Sequence, residues 1–384
     1  MSEQYQKSKK IFHDNANWLL SSDIRIKNGD NKGALYGWKN LNPPSFPFIY
    51  TEITGYATTC FCWLFSEFGN KVALVAAKEA SNWVIRNIKF NLTVARPPES
   101  GNKPNDLSNL FYSFDNGMII TGLLNLYKIT KDASNLLLQA EKMARTLIDR
   151  FFDGEKLIAR LDSSYNPIFE DKINGVIKWS TISGPYHAKL SLAFLDLSRE
   201  TNDPKYSKVS NSICDYAKKM QTSEGQFITN PGSDIVFLHP HLYSCEGLIY
   251  SGLMQSNKEH YSAGLKGIIW AVRQLVSRGS AGLFRDTGAQ LVEQSDCTAQ
   301  LLRLLLLCRP NLQEFFDEIE LNNIIDSLHL RLLDFHISLG EENGATRYQL
   351  ALDTACSWCT MFSMQALALW NTKKSTTRWI EHFI

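Results

Sequence analysis

The feature that most constrains this chain is an alternation of two kinds of helical segment. One kind is amphipathic. In 132–150, Leu136, Ala140, Met143 and Leu147 share one stripe, while Glu141, Lys142, Arg145 and Asp149 lie off it. The other kind is apolar all round, as in TGYATTCFCWLF (54–65), GMIITGLLNLY (117–127), AKLSLAFLDL (188–197), TAQLLRLLLL (298–307) and TACSWCTMFSMQALALW (354–370). A helix without a polar face is buried on both sides. The amphipathic pattern predicts outer helices over 10–21, 71–90, 132–150, 204–222, 258–278 and 312–337. The apolar pattern predicts inner helices over 50–69, 115–130, 184–201, 239–255, 294–308 and 353–371. Equivalent points at Glu52, Asp115, Tyr186, His241, Asp296 and Asp353 lie 55 to 71 residues apart, a repeat signature. Six alternating pairs predict an all-α fold. It is a closed ring over 1–384, one domain with a barrel of inner helices inside an outer layer. An open solenoid is the structural alternative.

The connections are unequal. Inner-to-outer links are short: Gly69-Asn70, Lys131, Asn202-Asp203, Ser256-Asn257 and Arg309-Pro310. Outer-to-inner links are long: 21–49, 91–114, 151–183, 223–238, 279–293 and 338–352. In a ring, every long loop then lies on one face, and long loops on a rigid scaffold are where sites are built. The N-termini of the inner helices open onto that face, and their free N–H groups favour anions. Within the third long loop, 156–170 alternates weakly and predicts a small β-hairpin.

Polar and aromatic residues concentrate at that same end. Glu52 and Tyr56 share a helix face. The next inner helices open with Asp115-Asn116, with Tyr186-His187, and with His239, His241, Tyr243 and Glu246. The last two open with Gln294, Asp296 and Gln300, and with Asp353. Arg160, Arg285 and Arg347 stand in the entering loops. Each residue has a plain structural use. Asp115, Asp296 and Asp353 suit N-caps, His187 suits a satisfied core histidine, and Glu246 suits half of a buried pair. A purely structural ring has no need to gather them all at one end.

Lys and Arg number 40 against 39 Asp and Glu, a net charge of +1. That balance gives no footprint for nucleic acid and no polybasic membrane anchor. Apolar stretches end in a charge within about 10–14 residues, too short to span a bilayer. The opening MSEQYQKSKKIFHDN lacks a hydrophobic core, so a cytoplasmic location is expected. The eight cysteines fall mostly in apolar helical stretches, which fits a reducing compartment. Cys356 and Cys359 form a CxxC pair without a second ligand pair, so buried helix cysteines are expected there. No residue pattern calls for a metal or cofactor.

The layout resembles the (α/α)6-toroid enzymes of carbohydrate chemistry. FDNGMIITGLLNLYKITKD (114–132) resembles an inner-helix segment of unsaturated glucuronyl hydrolases, and Asp115 matches that family's first essential aspartate. The place of its general acid reads SGPYHAK here, without a carboxylate. GQFITN (225–230), EGLIYSGL (246–253), LFRDTG (283–288) and EQSDCTAQLL (293–302) resemble, in order, the C-terminal domain of D-glucuronyl C-5 epimerases. That likeness implies an arginine near the uronate at Arg285. N-acylglucosamine 2-epimerases share the ring and use histidine bases. The expectation is therefore an isomerase inverting C-5 of glucuronate in an oligosaccharide or polysaccharide. Arg285 would neutralise the carboxylate. His187, His239, His241, Tyr186 and Tyr243 would carry protons, and Glu52, Asp115 and Asp296 would orient them or bind hydroxyls. Asn116, Gln300 and Arg347 would bind sugar, with Tyr56, Trp179 and Trp358 stacking on it. The alternatives are a glycoside hydrolase or uronate lyase using Glu52, Asp115 or Asp296, and a non-catalytic glycan-binding toroid.

Overall fold

The computed structural model describes residues 3–98, 107–168, 172–173, 176–286, 288–372 and 377–383. Within them, twelve α-helices follow the alternation of the sequence. The outer helices are α1 (Glu3–Ser21), α3 (Lys71–Arg86), α5 (Leu138–Phe151), α7 (Pro204–Lys219), α9 (Lys258–Arg278) and α11 (Glu318–Asp334). The inner helices are α2 (Thr51–Phe68), α4 (Ser113–Thr130), α6 (Ser191–Thr201), α8 (Leu238–Gln255), α10 (Ser295–Leu312) and α12 (Ser357–Thr372). A 3-10 segment, Pro185–Leu190, leads into α6. Each inner helix touches the next, and α12 touches α2, so the ring is closed rather than an open solenoid. Helix α1 packs on α12 at the seam.

Burial follows the two patterns. Helix α4 is buried without a break from Ser113 to Leu126. Helix α5 buries only Ala140, Met143, Ala144, Leu147 and Phe151. Four short links share one local recipe. Gly69, Lys131, Asn202 and Ser256 each end an inner helix in the left-handed region. The next residue in each case, Asn70, Asp132, Asp203 or Asn257, then accepts backbone N–H bonds at the start of the outer segment. A left-handed stop followed by an Asx cap reverses the chain in two residues.

Several predicted boundaries move: α1 begins at Glu3 rather than at 10, and α6 proper begins at Ser191 rather than at 184. Helix α10 runs on through Arg309 and Pro310 to Leu312, with Pro310 inside its last turn, and α11 begins only at Glu318, capped by Asp317. The predicted hairpin forms only as a short turn, and Arg160–Leu161 also pairs with Phe111–Tyr112. In the turn, Leu161 bridges Pro167, Asp162 N donates to the Asn166 carbonyl at 3.0 Å and Ile168 N to the Arg160 carbonyl at 3.2 Å. Asp162 accepts from the N–H groups of Ser164 and Asn166 there. Residues 169–170 of that expectation lie outside the described residues. On the long-loop face, Trp38–Leu41 pairs with Thr354–Cys356 and stitches the first loop to the last.

Inner helices cross closely where side chains are absent. A Cβ on Gly247 would lie 2.1 Å from the Ala188 backbone, and one on Gly55 would lie 2.9 Å from Ile119 N. Inside the barrel sits a buried charge cluster. Glu246, Arg303 and Gln365 are each the ninth residue of their helices. Glu246 bonds Lys189 Nζ at 2.5 Å and Arg303 at 2.6 Å, and Arg303 also donates to Gln365 at 2.6 Å. All eight cysteines are free thiols and buried. No described helix is long and apolar enough to cross a membrane.

Glu246 is thus the anion for two buried cations. Replacing it by Gln leaves both cations without their carboxylate, at an expected cost of about 3–5 kcal/mol. Urea unfolding measures this, and an unchanged midpoint would show that the cluster contributes nothing to the barrel.

Candidate functional site

The position of a residue along its inner helix fixes its depth in the barrel. Glu52, His239, Asp296 and Trp358 are each the second residue of α2, α8, α10 and α12, and Asp115 is the third of α4. These five residues line one cavity of about 300 Å³ at the long-loop end. One turn deeper, Tyr56 and Tyr243 are both sixth residues and share a hydroxyl hydrogen bond of 2.7 Å, which forms the floor. Trp38, Tyr50, Trp179, Tyr348 and Trp358 supply aromatic walls. Trp38 meets Trp358 edge-on, with centroids 6.0 Å apart, and Gln294 donates to the Tyr348 hydroxyl.

One wall holds a carboxyl pair. Glu52 lines the cavity beside Tyr50, Asp115 and Tyr56. Burial pushes the Glu52 carboxyl up, and it pushes Asp115 well above the usual range, with the Glu52 charge adding to the rise. Asp115 Oδ2 is buried and finds no donor among the described residues. A buried carboxyl pair of this kind keeps a proton to higher pH than exposed carboxyls do, with the larger rise at Asp115. The opposite helices present a different environment. Both oxygens of Asp296 accept hydrogen bonds, from the Cys297 N–H at 2.8 Å and the Trp358 indole at 3.2 Å. His239 Nδ1 lies 2.6 Å from Gln300 Oε1 and 3.6 Å from Asp296 Oδ2. With two acceptors around it, Nδ1 carries the proton, and Nε2 is left as the basic nitrogen.

A family model for glycosyl hydrolase family 47 matches residues 77–382, most of the chain. The chain belongs to glycosyl hydrolase family 47. It is therefore a carbohydrate-processing enzyme on an (α/α)6 toroid. No curated protein matches the sequence. Solved structures match the fold at low identity. A sugar epimerase from a ruminal bacterium is 12% identical with TM-score 0.73, covering 93% of this chain and 98% of that one. Cellobiose 2-epimerase from Bacillus thermoamylovorans is 10% identical with TM-score 0.73, covering 94% and 99%. An unsaturated glucuronyl hydrolase specific for heparin is 10% identical with TM-score 0.68, covering 96% of each.

In this family member the cavity gathers Glu52, Tyr56, Asp115, Trp179, His239, Tyr243, Asp296 and Trp358 from the sequence reading. Other expected site residues stand elsewhere. His187 bonds Ser113 Oγ at 3.0 Å in the core, and burial lowers its pKa to about 3. His241 accepts from Phe227 N and donates to the Gly267 carbonyl, and burial lowers its pKa to about 4. Both are satisfied core histidines. Tyr186 sits behind Trp179 and donates to the Ile182 carbonyl. Asn116 ties the Thr93 and Tyr112 backbones to α4. Gln300 reaches the site only through His239. Arg347 is off the cavity lining, and its carbonyl accepts from Ser295 Oγ. Arg285 is 43% exposed, pairs with Asp234 at 2.7 Å and is off the cavity lining.

Sequence reasoning missed Trp38, Tyr50, Arg96 and Lys178, all cavity residues from loops. Their one legible signal was that long loops meet at this face. Among the described residues, His239, Asp296 and Cys297 bring metal-ligating atoms within 4.8 Å of one another. Here those atoms are engaged internally, Cys297 Sγ with Gln294 Oε1 and His239 Nδ1 with Gln300.

The raised Asp115 pKa has a stability consequence with a definite sign. The folded chain keeps this proton to higher pH than the unfolded chain does, so the group costs stability as pH rises. Asp115→Asn is expected to melt higher than the parent near about pH 8, with the difference fading toward about pH 4. A pH-independent difference would show that Asp115 does not hold the proton. His187→Gln and His241→Gln are expected to lower the melting temperature and leave turnover per folded molecule intact; loss of turnover without destabilisation would return them to the site.

Proposed function

We propose that the enzyme cleaves a glycosidic bond by general acid and general base catalysis in this cavity. The observation that carries the reading is a buried carboxyl pair, Asp115 against Glu52, facing across one cavity a carboxyl, Asp296, that accepts a hydrogen bond at each oxygen. Asp115, held protonated against Glu52, donates to the leaving oxygen. Asp296, flanked by His239, takes the proton of an attacking water. Trp38, Trp179 and Trp358 give the sugar ring apolar faces, and the Tyr56–Tyr243 floor limits how deep it enters. Membership of a glycosyl hydrolase family supports the same reaction class.

A second reading has its own observation. The Gln300–His239 bond leaves an imidazole base in the cavity, and sugar epimerases and a D-mannose isomerase share the fold. In that reading His239 removes a ring-carbon proton, and the uronate C-5 inversion expected from the sequence is one form of it. The cation would then be Arg96 or Lys178, because Arg285 is outside the cavity.

Incubating glycosides and uronate oligosaccharides in deuterated water separates the two. Cleavage predicts a new reducing end, and Asp296→Asn is expected to lower kcat by roughly 10²–10⁴-fold, the size of a general-base contribution. Activity is also expected to fall on the alkaline side as Asp115 gives up its proton. Solvent deuterium on a ring carbon of an uncleaved product would overturn hydrolysis in favour of epimerisation.

A further inference from the structure

We propose that the cavity is built for a sugar bearing an acidic group, and that Arg96 receives that group. The inference rests on the cavity being the sugar site and adds the substrate class. Arg96 is delivered to the rim by its neighbours. The Thr51 N–H and hydroxyl donate to the Ala95 carbonyl, at 3.3 and 3.0 Å, and tie this loop to the first residue of α2. The side chain lines the cavity near the carboxyl pair, and its charge draws Asp115 toward the ionised form.

The guanidinium lies over Phe48, 3.7 Å from the ring centroid, with Tyr50 at 5.4 Å. Stacking fixes the plane of the fork and leaves its N–H edge for an in-plane acceptor. Among the described residues no carboxylate forms an ion pair with Arg96, and its Nε is buried without a hydrogen-bond partner. Most arginines beside buried acids are already paired, as Arg303 is with Glu246. A stacked fork that lines the cavity with no carboxylate paired to it among the described residues fits a planar carboxylate or a phosphate, which take two parallel N–H bonds. Lys178 lines the same cavity as a second cation. The inner-helix N-termini at this end add to the preference for an anion. A role confined to tuning Asp115 makes a different prediction: it shifts the pH profile equally for all substrates, whereas recognition separates charged sugars from neutral ones.

The test measures binding to the full chain by calorimetry, for the parent, Arg96→Gln and Arg96→Lys, each checked for fold by circular dichroism. The probes are the gluco-, manno- and galacturonates, the matching hexoses and the hexose 6-phosphates. The parent is expected to bind one acidic series about tenfold or more tighter than its neutral hexoses, the scale of a charge-assisted hydrogen bond. Whether the uronates or the phosphates lead identifies the acid. Arg96→Gln is expected to erase the preference and keep hexose affinity, and Arg96→Lys to keep part of it. Equal binding of acidic and neutral sugars, or a preference that survives in Arg96→Gln, overturns the proposal and leaves the sugar site standing. If Arg96→Gln does not fold, an undiminished preference in Arg96→Lys overturns it. Failure of every sugar to bind overturns both.

Discussion

The structure depends on inner helices that are buried on both faces. Side chains on one face meet the outer layer, where apolar packing suffices. Those on the other meet the barrel axis, where six helices converge and any polar group must find its partner inside. The Lys189–Glu246–Arg303 cluster, with Gln365, is the deepest answer to that requirement. It draws on three inner helices and the 3-10 segment before α6, so its hydrogen bonds exist only when the ring has closed. Burial lowers the Lys189 pKa to about 8 even with Glu246 beside it, a measure of how dry the axis is.

The same dryness makes the cavity chemically useful. Near the surface, two carboxyls at helix N-termini would both ionise, helped by the helix dipoles. At Glu52 and Asp115, burial outweighs the dipole and pushes both carboxyls up. Asp296 occupies the equivalent level on α10 but accepts hydrogen bonds at both oxygens from Trp358 and Cys297. Carboxyls at the same depth of one barrel thus meet different environments from their neighbours alone. The layering follows residue number: second or third positions of α2, α4, α8, α10 and α12 line the cavity, sixth positions of α2 and α8 make the floor, and ninth positions of α8, α10 and α12 join Lys189 in the charge cluster.

How much of this was legible follows from which signals are local. Helix burial is periodic, so the ring and its inner and outer layers could be read directly, and so could the short links that hold Asn70, Asp203 and Asn257. The Arg309-Pro310 link was placed too early, because these residues belong to the last turn of α10. His187 and His241 have the right type and the right end of the barrel. However, a helix start spans about 100° of rotation per residue, and one step of rotation turns a side chain from the axis into the layer behind it. His239 faces the cavity, and His241, two residues on, faces Trp270 on the outer layer.

The sequence by itself determined the closed ring of alternating helices and the face on which the site lies. It also determined the acidic residues Glu52, Asp115 and Asp296 at that face, because periodicity and spacing are properties of the chain read one turn at a time. Only the tertiary structure decided that Glu52 and Asp115 are buried side by side, with both carboxyls pushed up, and that His239 is held by Gln300. It also decided that Arg96, stacked on Phe48, lines the cavity, whereas Arg285 pairs with Asp234. Those outcomes depend on desolvation and on contacts between loops far apart in sequence, and neither leaves a local pattern in the chain.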